Sequence, residues 1–434
     1  MKKTNHLLGQ IVLLFSGVIA AITANAEFIK DLRVTEIARI DELTAKPTYQ
    51  LDLDILAKLL WTNEDQENYE AECNPRRDER RKIIDHDLTI HKAADPEKYR
   101  CVQEVRGDLT IDTDNESLEL VLPYLMKVTG DFDLKAGTHF DFGQFPKLYH
   151  VGGKLYINNR SRWSDWHFAS FKYFDGTLEV MAGLKNPLHG LNNLRRVGRL
   201  RLYNHPNDIW GPFEFSGLEG LQQINGDLDI DLEWGSTSGN FLGNLEEVGD
   251  DVEISIEDGG LIGLGSIKHV GDDLIIHWDS PNYASTVGLE SLEEVGGDFI
   301  FDGPPIRYLT GLQNLQSVGH DFELELNLTV NDLQDLSQLT SVGKLAIVNS
   351  NVASLNGLQN IQNLGALVLE YNYALNNVSA LTNASVPGSG LIRIVSNWSL
   401  STCEAQDLVR DLRNDQNYNQ WNSSYTQVFS NDDC

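Results

Sequence analysis

The chain has 434 residues, with 64 acidic and 34 basic side chains and a formal net charge of -30. That balance excludes nucleic acid as an expected partner, because a phosphate-binding surface must supply cations. Hydrophobic residues make up 41%, so a substantial core is possible, in two or three ordinary domains or in one long repeat array.

Residues 1–26 read as an export signal. Lys2 and Lys3 open it, an apolar run from Ile11 to Ile22 follows, and Ala24-Asn25-Ala26 offers a small-x-small site with cleavage after Ala26. The run is too short for a good membrane span. No transmembrane segment is therefore expected in the mature chain, and the expected location is periplasmic, cell-surface or secreted. Cys73, Cys101, Cys403 and Cys434 lie outside the repeats, one pair at each end. In an oxidising compartment the local pairings Cys73–Cys101 and Cys403–Cys434 are expected.

Residues 27–104 are expected to form a helical N-terminal cap. Ile29, Leu32, Ile37, Ile40 and Leu43 recur at loosely helical spacing, as do Leu53, Leu56, Leu59 and Leu60 within Asp52–Tyr69. Arg76 to Lys82 is a basic patch, read as a solvated face of the cap. An array end exposes apolar interior and unpaired backbone, and something must cover it.

From 105 to 400 one unit recurs about every 23.5 residues, a solenoid period that predicts about twelve coils. Clear copies are Val105-Arg-Gly-Asp-Leu-Thr-Ile111, Val270-Gly-Asp-Asp-Leu-Ile-Ile276 and Val295-Gly-Gly-Asp-Phe-Ile-Phe301. Leu228, Ile230 and Leu232 alternate with Asp229, Asp231 and Glu233, the mark of a strand with one buried face. Several copies carry an approach such as Gly288-Leu-Glu-Ser-Leu-Glu-Glu-Val295, whose apolar residues point into the same interior from a second side. Gly at the turns is expected to supply unusual backbone angles, and the Asp beside it to bond turn amides.

The Leu-x-Ile strand, the Gly-Leu-x-x-Leu-x-x-Val approach and the Val-Gly-Gly-Asp turn resemble the receptor L-domain family, across roughly 105 to 400. That resemblance implies an all-β solenoid, a leucine-rich-repeat-like right-handed parallel β-helix, of the kind found in exported bacterial proteins. The ending, 401–434, also resembles bacterial members in which a helix and a disulfide close the last coil. Ser401-Thr-Cys-Glu404 matches a capping box before a helix over Glu404 to Arg413.

Acids are enriched at the outward positions of the strands: Asp112, Asp133, Glu179, Asp229, Asp231, Glu253, Asp302, Glu323, Glu325 and Glu370, against Lys135 and Arg201. Three readings follow. One is a solvated, salt-screened face. Another is a docking surface for a basic protein, peptide or polyamine-like ligand. The third is Ca²⁺ held at Asp229, Asp231 and Glu253. Ile275 and Ile300 interrupt this face, and Ala346, Val348, Val368 and Val395 make its last coils apolar, a seat for the C-terminal cap or for a partner.

Aromatics gather after some strands. Trp163, Trp166 and Trp210 sit in polar surroundings and are candidates for ligand contact, among Phe168, Phe171, Phe213 and Phe215. Trp234 and Trp278 continue the inward alternation and read as core. Asn-x-Ser triplets at Asn159 and Asn397 carry no weight without a glycosylating host.

The expected function is noncatalytic recognition or adhesion outside the cytoplasm. A protein, peptide or glycan would bind through the sheet face and the adjoining aromatic loops, using Asp229, Asp231, Glu253, Glu323, Glu325, Trp163, Trp166 and Trp210, with no cofactor unless Ca²⁺. A structural or Ca²⁺-binding envelope protein is one alternative. A carbohydrate-active parallel β-helix enzyme is the other. Arg201 and His277 lie on the appropriate face for it, but no nucleophile, zinc or phosphate-loop motif occurs.

Overall fold

The computed structural model describes residues 63–73, 83–91, 96–112, 119–136, 142–159, 165–168, 171–182, 186–188, 190–204, 215–232, 241–256, 263–278, 284–325, 330, 332–421, 423–429 and 431–432. The described residues from Glu67 onward belong to one compact unit.

Alternating apolar residues build a ladder of parallel strands, one rung per coil. The ladder opens with Leu88–His91 and passes through Leu109–Asp112, Phe132–Ala136, Lys154–Asn159, Tyr173–Ala182 and Arg196–Asn204. It continues through Leu228–Leu232, Val252–Ile256, Leu274–Trp278, Phe299–Asp302 and Ser317–Glu325. Ser341–Val348, Asn363–Glu370, Ile392–Val395 and Thr426–Phe429 complete it. The chain is a β-solenoid. Leu228 is fully buried and Ile230 is 5% exposed, so the alternation faces as expected. The approach residues Leu289, Leu292 and Val295 close the same interior from another side.

The first rung lies inside the segment in which no repeat was expected. Ile84-Asp-His-Asp-Leu88-Thr-Ile90 is a further copy of the unit, with Ile84 opposite Val105 and Leu88 opposite Leu109. Ile84-Asp-His86-Asp lacks the glycine that the turns of the following copies carry, and that hides it. The helix expected over Asp52–Tyr69 is described only from Asn63, as Asn63–Glu72. Its end is fastened to the first coils. Tyr69 packs edge-on against Tyr124 at 5.0 Å, Tyr124 Oη donates to Glu72 Oε2 at 3.0 Å, and Cys73 is bonded to Cys101. The residues from Ile29 to Leu43 and the basic patch lie outside the described residues.

Turn glycines serve close approach rather than backbone angle, which corrects the expectation for the Val-Gly-Asp turns. Among the described residues, six of the seven positive-φ glycines are instead those of the approach, such as Gly288 (φ 108°) and Gly311 (φ 119°). At the turns, a Cβ on Gly271 would run into the carbonyl oxygen of Gly249, one on Gly296 into that of Gly271, and one on Gly319 into that of Gly296. Each coil turns directly on the backbone of the coil before it.

The turn aspartates also act between coils. Asp87 Oδ1 accepts the amide of Asp108 at 2.9 Å, and Asp108 accepts that of Asp131 at 2.9 Å. Asp251 accepts that of Asp273 at 3.0 Å, Asp273 that of Asp298 at 2.7 Å, and Asp298 that of Asp321 at 2.8 Å. Each carboxylate satisfies an amide that the bend would otherwise leave without a partner. These aspartates are therefore architectural.

In the last coils asparagine takes over at another corner. Asn372 Oδ1 accepts Ser350 N at 3.0 Å, and Asn397 Oδ1 accepts Asn372 N at 3.1 Å. Their amides donate to Ile347 O at 2.8 Å and Leu369 O at 2.9 Å. Asn397 is fully buried, so its triplet is not an accessible glycosylation site.

The C-terminal helix is Thr402–Arg413. Ser401 accepts from Glu404 N at 3.1 Å, and Asn414 ends the helix at φ 52°. Cys403 is disulfide-bonded, whereas Cys434 lies outside the described residues. Arg413 donates from the helix end to the carbonyls of Pro387, Gly390 and Tyr425, locking the helix to the last rungs. Val395 is buried beside the Thr426–Phe429 rung, so the cap covers part of the apolar end.

The Cys73–Cys101 bridge closes a loop of 28 residues. By loop entropy, the Cys73→Ser, Cys101→Ser double variant should lose about 3–4 kcal/mol of stability. Its urea midpoint should fall accordingly, and an unchanged midpoint would show that the helix is held without the bond.

Candidate functional site

The outward face of the central rungs carries two rows of side chains in strict register. In one row Asp133, Tyr156, Glu179, Arg201, Asp229 and Glu253 are successive partners. In the next, Tyr203, Asp231, Ser255, His277 and Asp302 follow one another. Asp229 and Glu253 are thus direct neighbours, with Asp231 on the same strand. Glu323 and Glu325 lie further along the sheet, opposite Ala346 and Val348. The structure does not gather the predicted acids into one cluster.

Cations are woven between the acids. Lys154 Nζ meets Glu179 at 3.1 Å, and Glu179 also accepts from Tyr203 Oη at 2.9 Å. Arg201 meets Asp229 at 2.9 Å and lies over the Tyr203 ring at 5.1 Å. Arg199 meets Asp227 at 3.2 Å. His277 stands between Glu253, 3.3 Å from Nε2, and Asp302, 3.1 Å from Nδ1. Among the described residues Glu323 and Glu325 make no ion pair. The face is a network of alternating charge at its centre, not a uniformly acidic surface.

Sequence reasoning missed Lys154 and Arg199 because each stands just before the first buried residue of its strand, Leu155 or Leu200, outside the alternation. A signal was present: they replace the turn aspartate in Val151-Gly-Gly-Lys154 and Val197-Gly-Arg199. A cation there cannot accept the next amide, but it reaches a carboxylate on the following rung.

Burial pushes the Asp229 carboxyl above its ordinary value. Arg201 opposes this, and Glu253 and Asp231 add to the rise. Burial likewise raises the Tyr203 hydroxyl, helped by Tyr156 and Glu179. Glu179 and nearby aspartates outweigh burial and hold Lys154 above the usual lysine value. For Asp229 a raised folded-state pKa means that stability is lost as pH rises from the ordinary carboxylate value through the raised one. Asp229→Asn removes that cost. The melting temperature of the variant relative to the parent should therefore be higher near neutral pH than at about pH 3, where both side chains are uncharged. Calorimetry across this range checks it, and the opposite trend would mean that the Arg201 pairing outweighs desolvation.

Trp163 and Trp210 lie outside the described residues, and Trp166 is in the short strand Asp165–His167. Phe168 and Phe171 are core residues, each 1% exposed; Phe168 stacks on Phe145 and Phe171 packs edge-on against Phe174 inside the coil. Trp278 is buried as expected, and Trp234 is not among the described residues. Among the described residues, the potential ligands that converge within 4.8 Å of one another are Asp272, Asp273 and His320, not Asp229, Asp231 and Glu253. Asp273 is already engaged in the turn ladder.

No protein-family model matches the chain, and no curated protein matches it in sequence. Among the described residues no helix is long and apolar enough to cross a membrane.

Proposed function

We propose that the chain is a noncatalytic recognition protein of receptor L-domain type, acting outside the cytoplasm. It docks a protein, peptide or glycan across the central sheet face between Lys154 and Asp302. One observation carries this reading: Glu179, Arg201, Asp229, Glu253 and His277 are each held by a partner on an adjacent rung, at an open surface. Side chains fixed before binding lose little entropy on contact, which favours affinity and register. The Cys73–Cys101 disulfide and the bonded Cys403 suit an oxidising compartment, in agreement with the leader-like first 26 residues.

The test is capture from envelope extract and culture fluid at low and high salt, comparing the protein with an Arg201→Ala, Glu253→Gln variant of unchanged melting temperature. The variant should lose the captured component, and salt should weaken capture by the parent. Equal capture by both proteins would refute docking at this face.

A second reading has one observation in its favour. Asp229, with its raised pKa, has a second carboxyl group, Glu253, as its direct partner on the next rung, and glycosidic bonds are cleaved by two carboxyl groups. The close Arg201–Asp229 pair opposes it by stabilising the ionised form. Release of reducing ends from polysaccharide, abolished by Asp229→Asn, would establish it.

A further inference from the structure

Charge stops abruptly near the C-terminal end of the ladder. Between Lys344 and Glu404 the sequence holds Glu370 and Arg393 as its only charged side chains, in a chain that is 23% charged. Those two are paired with each other, and Arg393 also donates to Gln427. The last coils therefore present asparagine, serine, threonine and aromatic side chains in place of the charged network at the centre.

The same coils bear an aromatic edge. Where the chain leaves successive rungs, Tyr371 is 42% exposed, Tyr373 49%, Trp398 64% and Phe429 42%. Tyr373 and Trp398 stand 4.8 Å apart between ring centres, tilted by 54°. With the exception of Val287, every exposed large hydrophobic among the described residues is aromatic. The support is rigid: Asn372 and Asn397, each next to these rings in sequence, are buried in the asparagine ladder, and Ser399 Oγ donates to Tyr373 O at 2.6 Å. Tyr371 is held at φ 56°, where a bulky residue is strained.

This chemistry selects among ligands. An exposed aromatic face stacks on the C–H face of a pyranose ring, while asparagine and serine groups exchange hydrogen bonds with hydroxyls. A protein-binding hot spot rich in tyrosine and tryptophan normally includes arginine as well, and the one arginine between Lys344 and Glu404, Arg393, is tied to Glu370. A polyanion meets no counter-charge here and is repelled by the net charge of -30.

We infer that the edge formed by Tyr371, Tyr373 and Trp398 is a binding site for a neutral polysaccharide. The site is independent of the central face. Affinity electrophoresis of the full protein in gels containing a soluble β-glucan, a xyloglucan, a mannan or, as anionic control, polygalacturonate tests it. At least one neutral polymer should retard the protein. Trp398→Ala and Tyr373→Ala should weaken retardation by roughly tenfold or more, the scale of a lost stacking contact. Trp398→Tyr should recover most of it, and the Arg201→Ala, Glu253→Gln variant should bind as the parent does. Unchanged melting temperatures would confirm that the variants fold. Retardation by no neutral polymer, equal retardation of Trp398→Ala, or preference for polygalacturonate would overturn the assignment. So would a dimer in sedimentation that Trp398→Ala dissolves, because the edge would then be a contact between copies of the chain.

Discussion

Replacing Gly271 with alanine should destabilise the array by about 3 kcal/mol or more, as an overpacked site with no room to relax. The new methyl would meet the carbonyl oxygen and carbon of Gly249, which belong to the backbone of the preceding coil and cannot rotate away. The coils would have to part at this corner, weakening the pairing of Val248 with Val270. Gly388→Ala is the matched control, because nothing lies within 4 Å of its added Cβ and its stability should be unchanged. Stacked repeats couple mainly to their neighbours, so hydrogen exchange is the sharper readout. Protection should fall first at Val252–Ile256 and Leu274–Trp278. Equal stability of the two variants would show that the turn has slack.

Asn372→Leu should cost about 3–5 kcal/mol although it keeps the number and branching of the side-chain heavy atoms. It strands the Ser350 amide and the Ile347 carbonyl in a buried corner, each worth roughly 1–3 kcal/mol when orphaned, and removes a donor to Asn397. Exposed Asn376, four residues on, should tolerate the same change within about 0.5 kcal/mol. Thermal melting of both variants checks this. A small loss at Asn372 would mean that water replaces the ladder, which its complete burial opposes.

Much of the architecture is legible without coordinates. The alternation Leu228, Ile230 against Asp229, Asp231 states which side is buried, and Gly288-Leu-x-x-Leu-x-x-Val295 supplies the second wall. Ser401 and Glu404 announce the last helix, and the local pairing of Cys73 with Cys101 follows from their closeness at one end of the array. The site was less legible. Asp229, Asp231 and Glu253 are on the expected face, but the character of that face depends on Lys154, Arg201 and His277, whose partners are neighbours only after stacking. The charge-poor interval from Lys344 to Glu404 stands in the sequence, yet nothing local says that Tyr371, Tyr373 and Trp398 share one edge.

The division has a physical origin. Burial pattern and capping act over a few residues, so the order of amino acids alone determines the strand, its buried side, the coil period and the closing helix. The functions of turn glycine and aspartate, the neutralisation of the acidic rows and the exposed aromatic edge depend on residues some 21 to 28 positions apart being brought within a few ångströms. The separation between such partners changes from coil to coil with the loops between them. Only the stacked tertiary structure decides which side chains meet.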